Sequence, residues 1–489
     1  MHRSKEAPYD RTTTSGSDFL HLSAGDAPRG RGLADWLADA IRAAVGDGRL
    51  AAGDRLPPTR QLAADLRVSR GVVTEAYRRL AEDGHVAARG RAGTLIAAPV
   101  TAPPAPAAAE PPPREVFDRP GPDAFDAVRA AAAGVDLTPG VPDLGAFPRA
   151  AWLRAERDVL ATAPASALGY GDPRGTPELR AAVAGWLARY RGIRADAAEI
   201  LVVAGTAQAL TLLGRVLRDD GTDAVAVEDP GSLGARQHLH AADLATPPVP
   251  VDDDGLRVDA ITAPAVLATP AHQFPTGVVL GGRRRRELLA WAADGGLVIE
   301  DDYDAEHRYD RPPVPALRAL LPDRVCHAGS VSKLLAPALR IGWLLAPPRY
   351  RAALVDAKRV TDLGNPALPQ LVLARLMASG ALERHLRLVR RRHRARRDAM
   401  LAAIRTHLPD ATVHGAPAGL HLTVTFDGGF DDTTLAAAAL AAGVTVQPLS
   451  WHCQRPYRPG LVLGYAANPP DVLAAAVATL ANALRTVRR

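Results

Sequence analysis

At 489 residues the chain exceeds what one hydrophobic core supports, because cores stop growing near ~250–300 residues, so at least two domains are expected. Its 47% hydrophobic and 23% charged content is that of an ordinary globular protein and excludes a collagen-like or wholly disordered chain. No run of about 18 apolar residues is present to span a membrane, and Met1-His2-Arg3-Ser4-Lys5-Glu6 leads into no apolar leader, so a cytoplasmic location is expected. Cys326 and Cys453 are too few for a disulfide framework or a cysteine-rich zinc site, and no metal is expected. The net charge of +6 means little until it is located. Of 59 basic residues only Lys5, Lys333 and Lys358 are lysine. Where arginine otherwise supplies positive charge, a retained amine is a candidate for chemistry that needs one.

Residues 1–28 are polar and aperiodic and read as a flexible arm. From Leu33 the apolar residues Leu33, Trp36, Leu37, Ala40, Ile41 and Ala44 recur at helical spacing until Gly46 and Gly48. A second short helix is expected over Thr59–Leu66 with Thr59 as its cap, and a third from an N-cap at Ser69 to Gly84. His85-Val86-Ala87 and Thr94-Leu95-Ile96 flank Arg89-Gly90-Arg91-Ala92-Gly93 and read as a β-hairpin. Three helices, a tight Arg67-Val68 turn and a glycine-rich hairpin describe a winged helix-turn-helix over 29–98. Its third helix would enter the major groove of DNA with Ser69, Arg70 and Thr74 nearest the bases. Arg60, Arg70 and Arg89 are spaced to reach phosphates. Residues 29–96 hold 12 Arg against eight acidic side chains, so this piece carries most of the excess charge.

Nine prolines between Pro99 and Pro122, with alanine filling most gaps, predict a semi-rigid linker over 99–134. Beyond it, strand-like runs at Ile200–Val203, Ala224–Val227, Val266–Ala268, Leu297–Glu300 and Val325–His327 alternate with helical sequence. This is the pattern of a mostly parallel sheet in a large α/β domain, placed at 135–385. A small α+β subdomain is expected over 386–489, with Leu420–Thr425 and Val444–Gln447 strand-like. Eight arginines between Arg384 and Arg397 read as a solvated helix face, and His421 as a satisfied strand residue.

Lys333 lies in Gly329-Ser330-Val331-Ser332-Lys333, after a buried-type strand, where its amine could form an imine with a carbonyl cofactor. Ser330 and Arg340 offer a hydroxyl and a guanidinium to a phosphate monoester. The strand Leu297–Glu300 ends in Asp301-Asp302-Tyr303, a carboxylate able to hold a pyridinium and a phenol able to bond a ring hydroxyl. Gly205-Thr206-Ala207 opens a helix after a strand, presenting free N–H groups to an anion. All these segments lie at the carboxyl ends of strands, where open α/β sheets bind ligands.

The stretch Gly53-Asp54-Arg55-Leu56-Pro57-Pro58-Thr59-Arg60-Gln61-Leu62-Ala63, with Val68-Ser69-Arg70-Gly71-Val72-Val73 after it, resembles the GntR-family DNA-binding domain. That resemblance implies operator contacts from Arg60, Ser69, Arg70, Thr74, Arg89 and Gly90, made by a dimer on two half-sites. The large domain resembles class I aminotransferases of fold type I, which bind pyridoxal 5'-phosphate; Tyr170-Gly171-Asp172-Pro173 and Phe274-Pro275-Thr276-Gly277 also match. The resemblance makes Lys333 the Schiff-base lysine, Asp301 the pyridine partner and Tyr303 the phenol partner. It assigns the phosphate to Ser330, Arg340, Thr206 and the backbone of Gly205 and Ala207, with Tyr170 reaching in from another subunit.

The combination is similar to the MocR subfamily of bacterial regulators: cytoplasmic, nucleoid-associated when bound to DNA, homodimeric and often domain-swapped. In them the aminotransferase-like part senses pyridoxal phosphate or an amine or amino-acid adduct of it. Three departures bear on activity. Asp229-Pro230-Gly231 is followed by Ser232 in place of an aromatic that stacks on the cofactor, a contact worth ~0.5–1.5 kcal/mol. Phe274, next to His272 and Gln273, replaces an asparagine, and Val462 falls where a substrate-carboxylate arginine is expected, with Arg455 or Arg458 as substitutes. They favour a regulator with at most weak transamination over a working aminotransferase that carries a DNA-binding domain.

Overall fold

The computed structural model describes residues 32–47, 49–90, 93–97, 116–117, 120–415 and 417–488, which fall into two compact units, 32–97 and 116–488. The expected N-terminal arm, the wing tip Arg91-Ala92 and most of the expected linker lie outside the described residues.

In the first unit, helices α1 (Leu33–Gly46), α2 (Thr59–Asp65) and α3 (Arg70–Glu82) precede an antiparallel hairpin of β1 (Val86–Ala88) and β2 (Thr94–Ile96). Leu37, Ile41, Leu62 and Leu80 have no solvent exposure. At ~1.5–3 kcal/mol each, their burial holds together helices too short to be stable alone. Ser69 caps α3, its hydroxyl accepting from the Val72 N–H at 3.4 Å. Thr59 is not a cap: it is the first residue of α2, and its hydroxyl accepts from Arg70 Nε at 3.3 Å. The turn between the helices is made by Arg67 in the left-handed region, at φ 53°.

The second unit is built on an eight-stranded sheet. In chain order its strands are β4 (Leu201–Val203), β5 (Val225–Asp229), β6 (Pro248–Asp252), β7 (Gly255–Leu256), β8 (Ala265–Ala268), β9 (Leu297–Asp302), β10 (Val325–Ser330) and β11 (Gly342–Leu345). Across the sheet they run β4-β11-β10-β9-β8-β5-β6-β7. The five strands from β10 to β6 are parallel, as the alternating pattern requires. β11 was not expected, and it is antiparallel to both neighbours because the short connection 331–341 leaves no room for a crossover helix. Alternate residues feed opposite faces: Leu201, Val203 and Leu344 pack beneath helices Thr206–Asp219 and Pro348–Asp362. Val202, Trp343 and Leu345 pack beneath helices Pro177–Arg191 and Ala367–Ala378.

A C-terminal subdomain carries an antiparallel sheet, β12 (Thr412–His414), β13 (His421–Thr425), β16 (Gly460–Gly464) and β15 (Gln447–Pro448). The strand expected over Val444–Gln447 is two: β14 (Val444–Thr445) pairs with β3 (Val135–Asp136), and β15 pairs with β16. The packed domain also begins before residue 134. Helix Ala124–Ala130 lies inside the expected linker, and Val116, Phe117, Ala124 and Val128 join the subdomain core. These apolar residues are scattered among prolines without a period, which hid them. Helix Ala381–His407 crosses the expected 385/386 boundary. Its arginines are only partly a solvated face: Arg396 is buried and pairs with Asp143 at 3.0 Å, and Arg392 pairs with the same carboxylate at 2.6 Å. His421 is a satisfied strand residue, its Nε2 lying 3.1 Å from the Pro275 carbonyl.

Candidate functional site

The parallel strands end together, and the loops beyond them gather the chemistry. β10 stops at Ser330, and the chain folds through 331–341 back into β11, which fixes Lys333 in a tight turn. Lys333 Nζ donates to the Gly140 carbonyl at 2.6 Å, and His307 Nε2 lies 3.0 Å from the Lys333 carbonyl. Gly140 has φ +86°, and a Cβ there would stand 2.7 Å from Nζ, so only glycine lets the amine lie where it does. Burial lowers the Lys333 pKa, with Asp304 and Asp301 opposing. A lowered pKa leaves more free amine, the nucleophilic form, near neutrality.

Asp301 and Tyr303 leave the end of β9. Burial first, then the neighbouring Asp302 and Asp304, pushes the Asp301 carboxyl up to about 7. The Thr206 hydroxyl donates to it at 3.4 Å, and no cation bonds it among the described residues. Such a carboxylate favours a ligand that brings a positive charge. Asp302, by contrast, points to the other side: it bonds Arg191 and His327 in a buried cluster and is pushed down to about 2, where burial is outweighed by those two partners. Of the two adjacent acids, only Asp301 is free to serve a ligand.

The Tyr303 hydroxyl lies 3.0 Å from His272 Nδ1, which is also 2.9 Å from Asp304 Oδ2. A carboxylate can only accept, so Nδ1 carries the proton and donates it to Asp304; the phenolic proton of Tyr303 is then left to donate elsewhere. Burial raises the Tyr303 pKa well above 10, so the phenol stays protonated. His272 and Asp304 support Tyr303 without having been singled out for this from the sequence. The Phe274 side chain has no hydrogen-bonding group and packs edge-on to Tyr303 at 6.2 Å.

Gly205, at φ 86°, turns the chain from β4 into helix Thr206–Asp219. Arg340 is also left-handed, at φ 50°, and its Nη1 is 3.5 Å from where a Gly205 Cβ would be. The guanidinium therefore lies beside Gly205, at the N-terminus of that helix. Ser330 is buried, its hydroxyl accepting from the Ser332 N–H at 3.3 Å. Tyr170 is not brought to this group: it is 96% exposed on a groove of about 1320 Å³ that also takes in Leu363 and Leu371. Ser232 caps the next helix by accepting from the Ala235 N–H at 3.2 Å. Val462 is buried in β16, Arg455 is tied to Asp229 at 2.8 Å, and Arg458 is exposed near Asp427.

In the first unit Arg60, Ser69, Arg70, Thr74, Arg89 and Gly90 are all exposed. The arginines sort into two sets. Arg42, Arg78 and Arg79 are neutralised by Asp39, Asp83, Glu75, Glu82 and Asp35. Among the described residues, Arg60, Arg67, Arg70 and Arg89 are exposed and have no acidic partner, and Arg70 is the first residue of α3.

Comparison with known proteins falls along the same division. Residues 33–96 match the bacterial regulatory proteins of the gntR family, and residues 133–462 match aminotransferase class I and II. The chain is 33% identical over 470 residues to the probable rhizopine catabolism regulatory protein MocR of Rhizobium meliloti, covering 91% of this chain and 92% of that protein. It is 33% identical over 454 residues to the HTH-type pyridoxine biosynthesis transcriptional regulator PdxR of Corynebacterium glutamicum, covering 92% and 95%. Among solved structures, Pyrococcus horikoshii kynurenine aminotransferase superposes with a TM-score of 0.69 at 27% identity, over 76% of this chain and 96% of that one. A gntR-type DNA-binding unit joined to an aminotransferase unit is common to the matched regulators over more than nine-tenths of this sequence, and the chain belongs to that MocR type of gntR-family regulator.

Proposed function

We propose that the protein regulates transcription by binding operator DNA through residues 32–97, and that its aminotransferase-like unit holds pyridoxal 5'-phosphate on Lys333 as an effector or effector-holding group. The observation that carries the reading is the meeting of a half-buried amine, a half-buried carboxylate with no bonded cation and an anion-ready helix end at the carboxyl ends of the strands. The residues fit this group. Lys333 would hold its aldehyde carbon, Asp301 its ring nitrogen, and Tyr303 its ring hydroxyl. Ser330, Arg340, Thr206 and the N–H groups of Gly205 and Ala207 would hold its phosphate. When bound, the group supplies an electron-withdrawing ring. Asp301 would keep the ring nitrogen protonated, Tyr303 would donate a hydrogen bond to the ring oxygen, and Lys333 would supply an amine base.

On the DNA side, Ser69, Arg70 and Thr74 face the bases, while Arg60 and the Arg89-Gly90 wing contact the backbone. We place the protein in the cytoplasm, on the nucleoid when DNA-bound, as a homodimer; among the described residues no helix is long and apolar enough to cross a membrane. The exposed Leu160, Leu168, Tyr170 and Leu363 favour a second copy covering this side of the unit, with Tyr170 serving that copy's site. An amine or amino acid is the expected effector class. The packed units are bounded at 32–97 and 116–488, with the prolines between them as tether.

Efficient transamination is the second reading. Val462, the commitment of Arg455 to Asp229, and Ser232 acting as a helix cap all count against it, because none leaves an arginine or a ring where a substrate carboxylate or the cofactor face would use one. The test is the visible spectrum of purified protein with and without borohydride, followed by mapping of the modified residue. A reduced adduct on Lys333 is expected; cofactor-saturated protein with an unmodified Lys333 would refute the cofactor reading. Rapid full conversion of bound cofactor to its amine form by common amino acids would support the second.

A further inference from the structure

The second lysine of the large unit has no part in the function described above, yet it is more fully enclosed than the first. Lys358 has no solvent exposure, and its ammonium meets three acceptors: Gln208 Oε1 at 2.8 Å, Asp362 Oδ2 at 2.6 Å and Asn365 Oδ1 at 2.6 Å. An ammonium has three protons, so every one is used; a planar guanidinium would not fit three converging acceptors. Burial raises the Asp362 carboxyl but its hydrogen bonds from Lys358 and Gln208 outweigh this, and it stays lowered as the counter-charge.

The acceptors belong to different segments, and two of them lead to the two halves of the proposed phosphate cradle. Gln208 lies in the first turn of helix Thr206–Asp219, and its Oε1 also accepts from the Ala204 N–H at 2.8 Å, one residue before Gly205. Asn365 donates from Nδ2 to the Arg340 carbonyl at 3.0 Å. Arg340 is held in the left-handed region at that point, a conformation disfavoured for a side chain of its size. One ammonium therefore spans from the glycine turn on one side to the arginine on the other. The β4–β11 pairing of Val203 with Gly342 joins the same segments through the backbone, and no other side chain among the described residues bonds both Gln208 and Asn365.

We propose that Lys358 is the positioning residue of the phosphate subsite: it sets the separation between the Ala204-Gly205-Thr206 turn and Arg340, and so the preference of this site for a phosphate ester. This rests on the cofactor reading above. A residue that merely supported the fold would weaken every ligand alike, whereas a residue that sets the cradle weakens only ligands bearing phosphate.

The experiment measures equilibrium binding of pyridoxal 5'-phosphate and of pyridoxal, which lacks the phosphate, to full-length wild type, Lys358→Met, Asn365→Ala and the double variant. Lys358→Met is expected to lose about 10- to 100-fold in affinity for the phosphate ester with pyridoxal changed by less than about threefold. Asn365→Ala is expected to lose less, and the double variant no more than Lys358→Met alone, because both act through Arg340. Inorganic phosphate should compete against the ester less well in each variant than in wild type. A folded Lys358→Met that keeps the wild-type ratio of the two affinities, or loses both equally, overturns the proposal. If Lys358→Met does not fold, an unchanged ratio in Asn365→Ala, which keeps the buried ammonium, overturns it too. Wild type that does not prefer the phosphate ester overturns the cofactor reading as well as this one, which separates the two failures.

Discussion

The two units of this protein use positive charge in opposite ways. In residues 32–97 the arginines proposed to meet DNA are exposed and, among the described residues, have no acidic partner, and the arginines that do have acidic partners lie elsewhere on the helices. In residues 116–488 the telling cations are half-buried or buried, and each is tied down: Lys333 to a carbonyl, Lys358 to three oxygens, Arg191 to Asp302. A charge that must attract a polyanion over a distance belongs in water and without a counter-ion. A charge that must be in one place to within a fraction of an ångström belongs in a low-dielectric site with its hydrogen bonds filled.

Several substitutions would break or sharpen this contrast. The largest effect is expected from Lys333→Ala, which should abolish the borohydride-trapped adduct outright while circular dichroism shows a folded protein. Next is Asp301→Asn, expected to weaken pyridoxal 5'-phosphate binding by about 10- to 150-fold, the value of a charge-assisted hydrogen bond of ~1.5–3 kcal/mol, read by titration. The same variant carries a pH signature. The Asp301 carboxyl is raised from 3.8 to about 7 in the folded chain, so its contribution to stability is full below pH 3.8 and is lost as pH rises through 7. Cofactor-free Asp301→Asn should accordingly gain on wild type between pH 4 and pH 8, by about 1–4 kcal/mol, in chemical denaturation. No gain would mean that the carboxyl is not forced to ionise in an apolar setting.

On the DNA side, Arg70→Ala is expected to cost about 1–3 kcal/mol of operator affinity and to relax preference at the base it faces. Arg60→Ala should weaken all sequences alike and make the salt dependence of binding shallower by about one unit of slope. The smallest effect belongs to Arg78→Ala. Its guanidinium is already shared by Glu75 and Glu82, so DNA affinity should move by less than about 0.5 kcal/mol. If Arg78 mattered as much as Arg60 in a filter-binding or anisotropy assay, the division between paired and unpaired arginines would have no functional meaning.

Much of this is legible in the sequence. The three helices and hairpin of the first unit rest on local signals: apolar spacing, the Ser69 cap, the glycines of the wing. Lys333 stood out because the chain contains so few lysines, and the parallel strands because their apolar runs are short and regularly interrupted. β11 was missed, since Gly342-Trp343-Leu344-Leu345 has no alternation to mark an internal strand covered on both faces. Val116 and Phe117 read as tether in the sequence because a proline-rich stretch hides the few residues in it that pack.

What the sequence settled by itself is therefore what short stretches of chain settle: which segments are helix or strand, where glycine permits a turn, and which side chains have the chemistry to hold a phosphate or an aldehyde. The tertiary structure alone decided that Asp301 rather than Asp302 is the free carboxylate, that His272 and Asp304 stand behind Tyr303, and that Lys358 joins Gln208 to Asn365. These pairings link residues far apart in the chain, and their energies depend on burial and on which neighbours share it. Neither quantity is present in a local pattern of residues until the sheet has brought its strand ends together.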